Sequence, residues 1–135
     1  MEKYKYIPHT ADQYIEAYGK TINELFENAA LGLTNMMVKD VEPKDTKKIN
    51  ITADSNEEIL YKFLNEILVL RDSENIFLSN FKVKLKSKTL EVEAKGEEFN
   101  PEKHEQGMDV KAITYHELKI EKTKEGFKVK ILVDI

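Results

Sequence analysis

TINELFENAALGLTNMM, residues 21–37, predicts an amphipathic helix around which the fold is built. Thr21 is followed three residues later by Glu24, and this capping box satisfies free N–H groups at the start of a helix. Behind the box, apolar residues recur at helical spacing: Ile22, Leu25, Phe26, Ala29, Ala30, Leu33 and Met37. A helix with one apolar face is stable only when another layer of structure covers that face.

A second capping box, Ser55 with Glu58, predicts a second helix of the same kind. Its apolar face comprises Ile59, Leu60, Phe63, Leu64, Ile67 and Leu68, with Arg71 at the same spacing. Between the two helices, the charges and the proline from Asp40 to Lys48 predict a linker.

The remaining segments alternate between apolar and polar residues, which is typical of half-buried strands. The predicted strands are Lys3 to Ile7, Gln13 to Tyr18, Ile49 to Ala53, Ile76 to Leu78, Phe81 to Lys86, Thr89 to Lys95, Val110 to Tyr115 and Phe127 to Ile135. Ser87 and Lys88 form a link short enough for a hairpin.

These elements predict one domain, residues 1–135, of the α+β class. Two helices and roughly seven or eight strands fit a two-layer sandwich, in which the helices cover one face of a mainly antiparallel sheet.

The absence of cysteine and the net negative charge exclude or disfavour several classes of function. The chain has no cysteine, so disulfides, thiolate metal sites and a cysteine nucleophile are excluded, and an intracellular, cytoplasmic protein is expected. A formal net charge of -4 argues against direct, tight binding to RNA or DNA.

No membrane association is expected. Residues 1–8, MEKYKYIP, lack the basic segment followed by an apolar segment that is typical of a signal peptide, and no apolar run reaches the ~20 residues that span a bilayer.

A long polar stretch, GEEFNPEKHEQGMDVKAITYH, runs from Gly96 to His116. Such a connection in a small domain is either functional or disordered, and the strand-like VKAITY at its end favours function. Glu97 and Glu98 could do acid–base chemistry in a pocket, but by themselves they predict a solvated acidic loop.

Three carboxylates could form one site if the two ends of the chain meet. The last predicted strand ends at Asp134 and Ile135, which would place a side-chain and a main-chain carboxylate side by side. Partly buried neighbouring carboxylates repel and need a cation, which could be a lysine or a hard metal ion. Asp12 could be a third oxygen donor for Ca²⁺ or Mg²⁺, although taken alone it also fits a simple turn residue.

Other common sites have no support in the sequence. His9, His104 and His116 are too widely spaced for a metal-ligand motif, and histidines so placed are more often structural. The chain contains no P-loop, GxGxxG or GxSxG motif, so nucleotide binding and serine chemistry are not expected.

Four segments together resemble the archease family over nearly the whole chain. They are HTAD at residues 9–12, GEEFNPEKH at residues 96–104, DVKAITYHEL at residues 109–118 and the final DI at residues 134–135. The resemblance implies a fold in which a strand-helix-strand-strand unit is inserted into a two-layer domain. It also implies an activator, not a catalyst, which promotes guanylylation and repeated turnover of the RtcB-type tRNA-splicing ligase in tRNA splicing and RNA repair. Modulation of a tRNA methyltransferase as a chaperone is the alternative role that the family suggests.

The resemblance also implies roles for single residues. Asp12, Asp134 and the Ile135 carboxylate match the family's divalent cation site, which is read as calcium. The residues that match motifs linked to activation of the partner are Lys111, Glu97, His104, Thr114 and His116. Two readings from other classes stay open: metal-dependent hydrolysis at the same carboxylates, and a plain α+β domain whose carboxyl end forms a salt bridge.

Overall fold

The computed structural model describes residues 2–9 and 12–135, so Met1 and the Thr10 and Ala11 positions of the HTAD segment lie outside the described residues. Two helices are present in this part of the chain, α1 (Ile22–Met37) and α2 (Asn56–Glu74). Ten strands accompany them: β1 (Tyr4–Pro8), β2 (Asp12–Gly19), β3 (Val38–Lys39), β4 (Asp45–Thr52), β5 (Ile76–Lys86), β6 (Thr89–Glu98), β7 (Glu105–Gln106), β8 (Ala112–Thr114), β9 (Ile120–Lys122) and β10 (Phe127–Asp134).

Both helices begin at the predicted caps. The Glu24 N–H donates to the Thr21 hydroxyl at 3.1 Å, and the Glu58 N–H donates to the Ser55 hydroxyl at 3.1 Å. These bonds satisfy N–H groups that have no partner inside the helix. Helix α2 ends at Asn75, which has the left-handed conformation that often closes a helix.

The first and last strands belong to one five-stranded sheet, in the order β1-β2-β10-β8, with β9 also paired to β10. β10 lies at its centre, and Ile131 is the register partner of Ile15. Alternation along the strands sends one set of side chains into the core. This buried set comprises Ile15, Ala17, Val129, Ile131 and Val133.

A second sheet has the order β4-β6-β5, and with α2 it forms a strand-helix-strand-strand unit. The segments predicted as two strands, Ile76 to Leu78 and Phe81 to Lys86, are one strand whose register shifts between Leu78 and Asn80. The predicted linker from Asp40 to Lys48 is wrong after residue 44, because Asp45 to Lys48 pair with β6. Cross-strand hydrogen bonds hold these charged residues in a strand that their sequence does not favour.

Helix α1 connects the two sheets. The buried Thr34 hydroxyl donates to the Leu78 carbonyl at 2.6 Å, and the Asn28 amide donates to the Tyr18 carbonyl at 2.6 Å. Phe26 and Phe63, one from each helix, are fully buried. The α+β class and the antiparallel pairing are therefore confirmed, whereas the strands of the described chain form three sheets, including the small pair β3-β7.

Neither helix in the described parts of the chain is long and apolar enough to cross a membrane.

Candidate functional site

Asp12 and Asp134 lie opposite each other where β2 begins and β10 ends. Directly paired residues of antiparallel strands point to the same face, with their Cβ atoms roughly 5 Å apart. The Asp134 residue is exposed, and the Asp12 side chain keeps 27% of its surface accessible. The structure therefore brings together the first and last acidic residues of the predicted site.

The end of β8 completes this corner. Ala112 is the register partner of Asp134 on the side away from Asp12, and the Lys111 N–H donates to the Asp134 carbonyl at 2.8 Å. Ile135 follows and is half-buried. We call the group formed by Asp12, Lys111, Asp134 and Ile135 the acidic corner.

No lysine or arginine of the described chain forms an ion pair with the carboxylates of the acidic corner. Two like charges placed directly opposite each other across strands destabilise a sheet. Within residues 2–9 and 12–135, no lysine or arginine nitrogen lies within 4.0 Å of the Asp12 or Asp134 carboxylate. The nearest basic atom described is Nδ1 of His9, which lies 3.7 Å from Oδ2 of Asp12.

The donor chemistry of the corner fits a hard cation. Carboxylate oxygens are the ligands that Ca²⁺ and Mg²⁺ prefer. In the described residues, no group of three or more Asp, Glu, His or Cys side chains is placed to hold a metal ion. A cation here would therefore need oxygens other than side-chain carboxylates, such as the main-chain carboxylate of Ile135. That Asp12, Asp134 and Ile135 bind a metal stays a prediction.

Glu97 belongs to a second group of charged residues. Only 7% of the Glu97 surface is exposed to solvent, so the prediction of a solvated acidic loop is wrong at this residue. Glu98, its neighbour, is exposed. Oε2 of Glu97 accepts the Glu42 N–H at 2.6 Å, and its Oε1 accepts a bond from Lys103 at 3.0 Å. The Glu42 N–H, His104 and Lys103 together lower the pKa of Glu97 to about 2. Glu97 is therefore ionised at neutral pH and ties residues 42 and 103 together.

His104 lies under the same carboxylate, with its side chain completely buried. Its Nδ1 accepts the Asn100 N–H at 2.8 Å, so in the neutral ring Nε2 carries the proton. Nε2 lies 3.0 Å from Oε2 of Glu97, although the angle is too bent for a well-formed hydrogen bond. This arrangement fixes the turn at residues 100–104 and indicates a structural role for the histidine.

Lys103 links Glu97 to a further carboxylate. Its Nζ lies 3.0 Å from Oε2 of Glu42, and this contact lowers the pKa of Glu42 and raises the pKa of Lys103. We call Glu42, Glu97, Lys103 and His104 the loop clamp. In the described parts of the chain, no hydrogen bond or ion pair joins the loop clamp to the acidic corner.

The remaining predicted residues lie around β8. Thr114 is half-buried opposite Leu132, on the same sheet face as Ala112 and one pair along from the acidic corner. His116 follows the strand with 80% of its side chain exposed and lies 3.4 Å from Glu117. The structure therefore places Thr114 beside the corner and leaves His116 in solvent.

Arg71 is a residue whose role the sequence did not reveal. Its side chain is only 15% exposed, and its guanidinium donates to the Val110 carbonyl at 2.7 Å. This bond fixes the residue before Lys111, where the chain leaves the polar stretch and enters β8. Two signals in the sequence mark it: Arg71 continues the spacing of the apolar face of α2, and it is the only arginine in the chain.

Comparison with known proteins gives one consistent family. The sequence model of the Archease protein family (MTH1598/TM1083) matches residues 4–135. The chain is 44% identical over 132 residues to protein archease of Thermococcus kodakarensis, covering 93% of each chain. It is 42% identical over 139 residues to protein archease of Sulfurisphaera tokodaii, covering 100% of each.

Solved structures agree with the sequence relatives. The solution structure of Methanobacterium thermoautotrophicum protein 1598 matches with a TM-score of 0.88 at 34% identity, covering 100% of both chains. The crystal structure of an archease, possible chaperone, from Thermotoga maritima matches with a TM-score of 0.67 at 26% identity, covering 97% of this chain and 96% of that one.

Proposed function

Because the chain belongs to the archease family, we propose that it is a protein cofactor of the RtcB-type tRNA-splicing ligase. In this proposal it promotes guanylylation of the ligase and its multiple turnover in tRNA splicing and RNA repair, while the ligase performs the chemistry. We propose the cytoplasm as the place where it acts.

The observation that carries the proposal is the register pairing of Asp12 with Asp134. Two carboxylates held face to face by a sheet form a rigid, preformed site for one hard cation, with Ile135 as the third oxygen donor. We propose Ca²⁺ as that cation. Once bound, it would neutralise most of the negative charge of these carboxylates.

The residues around the corner would position it for the partner. The Lys111 N–H donates to the Asp134 carbonyl, which keeps Lys111, an exposed residue, at the end of the sheet where the two aspartates pair. Thr114 continues the same face, and His116 is free to contact a partner. Glu97 and His104 would act indirectly, since they fix the start of the segment that leads to Lys111.

We expect Asp12→Asn and Asp134→Asn to abolish stimulation of the ligase while the fold is kept. Both residues lie at strand ends on the accessible face, so removal of one negative charge relieves repulsion and leaves the core intact. The assay is transfer of labelled guanylate to the purified ligase, with and without this protein, in calcium or in chelator. Asp54→Asn is the matched control, because the Asp54 side chain is 92% exposed and belongs to another surface.

The outcomes separate the competing roles. Full stimulation by both Asn variants would refute the role of the acidic corner. The alternative role is that of a chaperone of a tRNA methyltransferase, which is compatible with the Thermotoga maritima relative being called a possible chaperone. Such a chaperone would bind that enzyme equally well in calcium and in chelator. Turnover of a phosphoester substrate by the isolated protein would instead show metal-dependent hydrolysis.

A further inference from the structure

The outer face of the β4-β6-β5 sheet carries an unusual concentration of lysine. Alternate residues of the three strands form the core, and the residues between them face solvent. The charged members of this outer face are Lys48, Lys82, Lys84, Lys86, Lys95, Glu91 and Glu93, and every one is exposed. We call these seven residues the lysine face.

The lysine face opposes the charge of the whole protein. Five lysines and two glutamates give it a net charge of +3, whereas the chain carries -4. In residues 2–9 and 12–135, none of its five ammonium groups has a carboxylate within 4.0 Å. These groups can therefore meet an external anion without first breaking an ion pair within the described chain.

The lysines form a regular track. Lys82, Lys84 and Lys86 occupy alternate positions on β5, so their Cα atoms repeat at roughly 6.7 Å. Lys48 lies two strands away from Lys82, with Glu93 between them in the register. A shallow groove of about 380 Å³ runs between Lys48, Lys82 and Lys84.

The track continues beyond the sheet. A wider cleft of about 630 Å³ shares Lys82 and Glu93 with the groove and adds Lys3, Lys95 and Glu27 to the charged residues of its lining. The groove and the cleft together extend the positive surface from β4 to the first residues of the chain.

The side chains of this face favour a phosphate backbone over a protein partner. The exposed outward positions of the three strands hold only Lys, Glu, Thr and Asn, whereas Phe77, opposite Glu97, is buried and Phe81 in the cleft is half-buried. Cores of protein interfaces are rich in aromatic residues and arginine and depleted of lysine. Phosphate contacts need only positive and polar groups. Without aromatic residues the face has no platform for unpaired bases to stack on.

We propose that the lysine face binds the phosphate backbone of double-stranded RNA, weakly and without base specificity. The choice of RNA over DNA rests on the proposed function, whereas the binding itself is independent of the acidic corner and its cation. Such binding agrees with the acidic composition, because a local positive track is enough for contacts that weaken steeply with salt.

The test is fluorescence anisotropy of a labelled RNA duplex of about 20 base pairs, titrated with the protein at several salt concentrations. A slope of roughly −0.9 per phosphate contact predicts about −4.5 for five lysines in a plot of log affinity against log salt. In the triple variant Lys82→Gln, Lys84→Gln, Lys86→Gln the slope should fall to about −2, with affinity at least tenfold lower at low salt. The triple variant Lys119→Gln, Lys122→Gln, Lys124→Gln makes the same charge change on other exposed positions and should bind like the parent.

The remaining arms of the experiment compare the RNA duplex with other polyanions and separate the two proposed sites. Equal RNA binding by the two triple variants would overturn the proposal, as would preference for polyglutamate over the RNA duplex. Tighter binding to a DNA duplex of the same sequence would overturn the assignment to RNA. A chelator should leave RNA binding unchanged, and the β5 triple variant should still stimulate ligase guanylylation without RNA present. Failure of this proposal is thereby distinguished from failure of the ligase proposal.

Discussion

Replacing Arg71 with alanine should loosen the start of β8 at a cost that the structure allows to be worked out. Arg71 supplies a charged donor 2.7 Å from the carbonyl of Val110, a residue with no exposed surface. A hydrogen bond to a charged group contributes roughly 1.5–3 kcal/mol, and a buried acceptor left without a partner costs a similar amount. The loss of packing against Met37, whose sulfur lies 3.2 Å from the guanidinium, acts in the same direction. We therefore expect Arg71→Ala to lower the free energy of unfolding by about 2–3 kcal/mol.

This loss can be converted to a melting temperature. An unfolding entropy of about 2.1 cal/mol/K per residue over 135 residues makes 1 kcal/mol equal to roughly 3.5 °C. Arg71→Ala should therefore melt about 7–10 °C below the parent in a thermal scan followed by circular dichroism. Hydrogen exchange should speed up most at residues 110–114, because these residues depend on the anchored carbonyl.

The matched control is Asp72→Ala. Asp72 accepts a bond from Arg71 at 2.8 Å, yet its side chain is 67% exposed, so its removal leaves the contact with Val110 intact. Exposed pairs of this kind contribute under about 1 kcal/mol. If Arg71→Ala melts within 2 °C (about 0.5 kcal/mol) of Asp72→Ala, the anchoring role of Arg71 is refuted.

Two further predictions concern buried polar contacts. Glu97 has its folded pKa lowered to about 2 from an ordinary value of 4.5, so it stabilises the fold above pH 4.5, and this contribution is lost as the pH falls toward 2. Urea denaturation of Glu97→Gln should accordingly show lower stability than the parent at pH 6 and a smaller difference at pH 3; a difference that grew on acidification would contradict the loop clamp. Thr34→Val should cost about 1–2 kcal/mol, because the Leu78 carbonyl loses its buried donor, and urea denaturation at neutral pH would measure it. A stability equal to the parent would show that this bond between α1 and β5 is dispensable.

Local patterns in the sequence predict local structure well in this protein. Both capping boxes mark the true helix starts, because the cap and the first turn are only three residues apart and their hydrogen bond is local. Alternation likewise assigns Ile15 and Ala17 to the core face of β2. Alternation also assigns Asp12 and Asp134 to the opposite, outward face, and the observed register of β2 and β10 makes them partners.

Features that depend on contacts between distant parts of the chain could not be predicted from the sequence. The register shift lies between Leu78 and Asn80, where β5 itself has no glycine or proline; the glycine at this place, Gly96, lies opposite Leu78 on β6. The sequence around Glu97 predicts a solvated carboxylate. In the structure its buried carboxylate accepts the Glu42 N–H, and only tertiary folding brings these two residues together. Strand β8 covers only Ala112 to Thr114 of the predicted Val110 to Tyr115, because the Val110 carbonyl bonds to Arg71 and Tyr115 packs against Tyr61 of α2.

Titration calorimetry with Ca²⁺ tests the acidic corner most directly. The protein is stripped with chelator, dialysed into buffer of fixed ionic strength and titrated with Ca²⁺, beside Asp12→Asn, Asp134→Asn and the Asp54→Asn control. We expect one saturable site in the parent and in Asp54→Asn, with affinity reduced at least tenfold in either corner variant, since each removes a charged oxygen ligand. A parent that shows no saturable binding, or corner variants that bind Ca²⁺ as the parent does, would contradict a cation site formed by Asp12, Asp134 and Ile135.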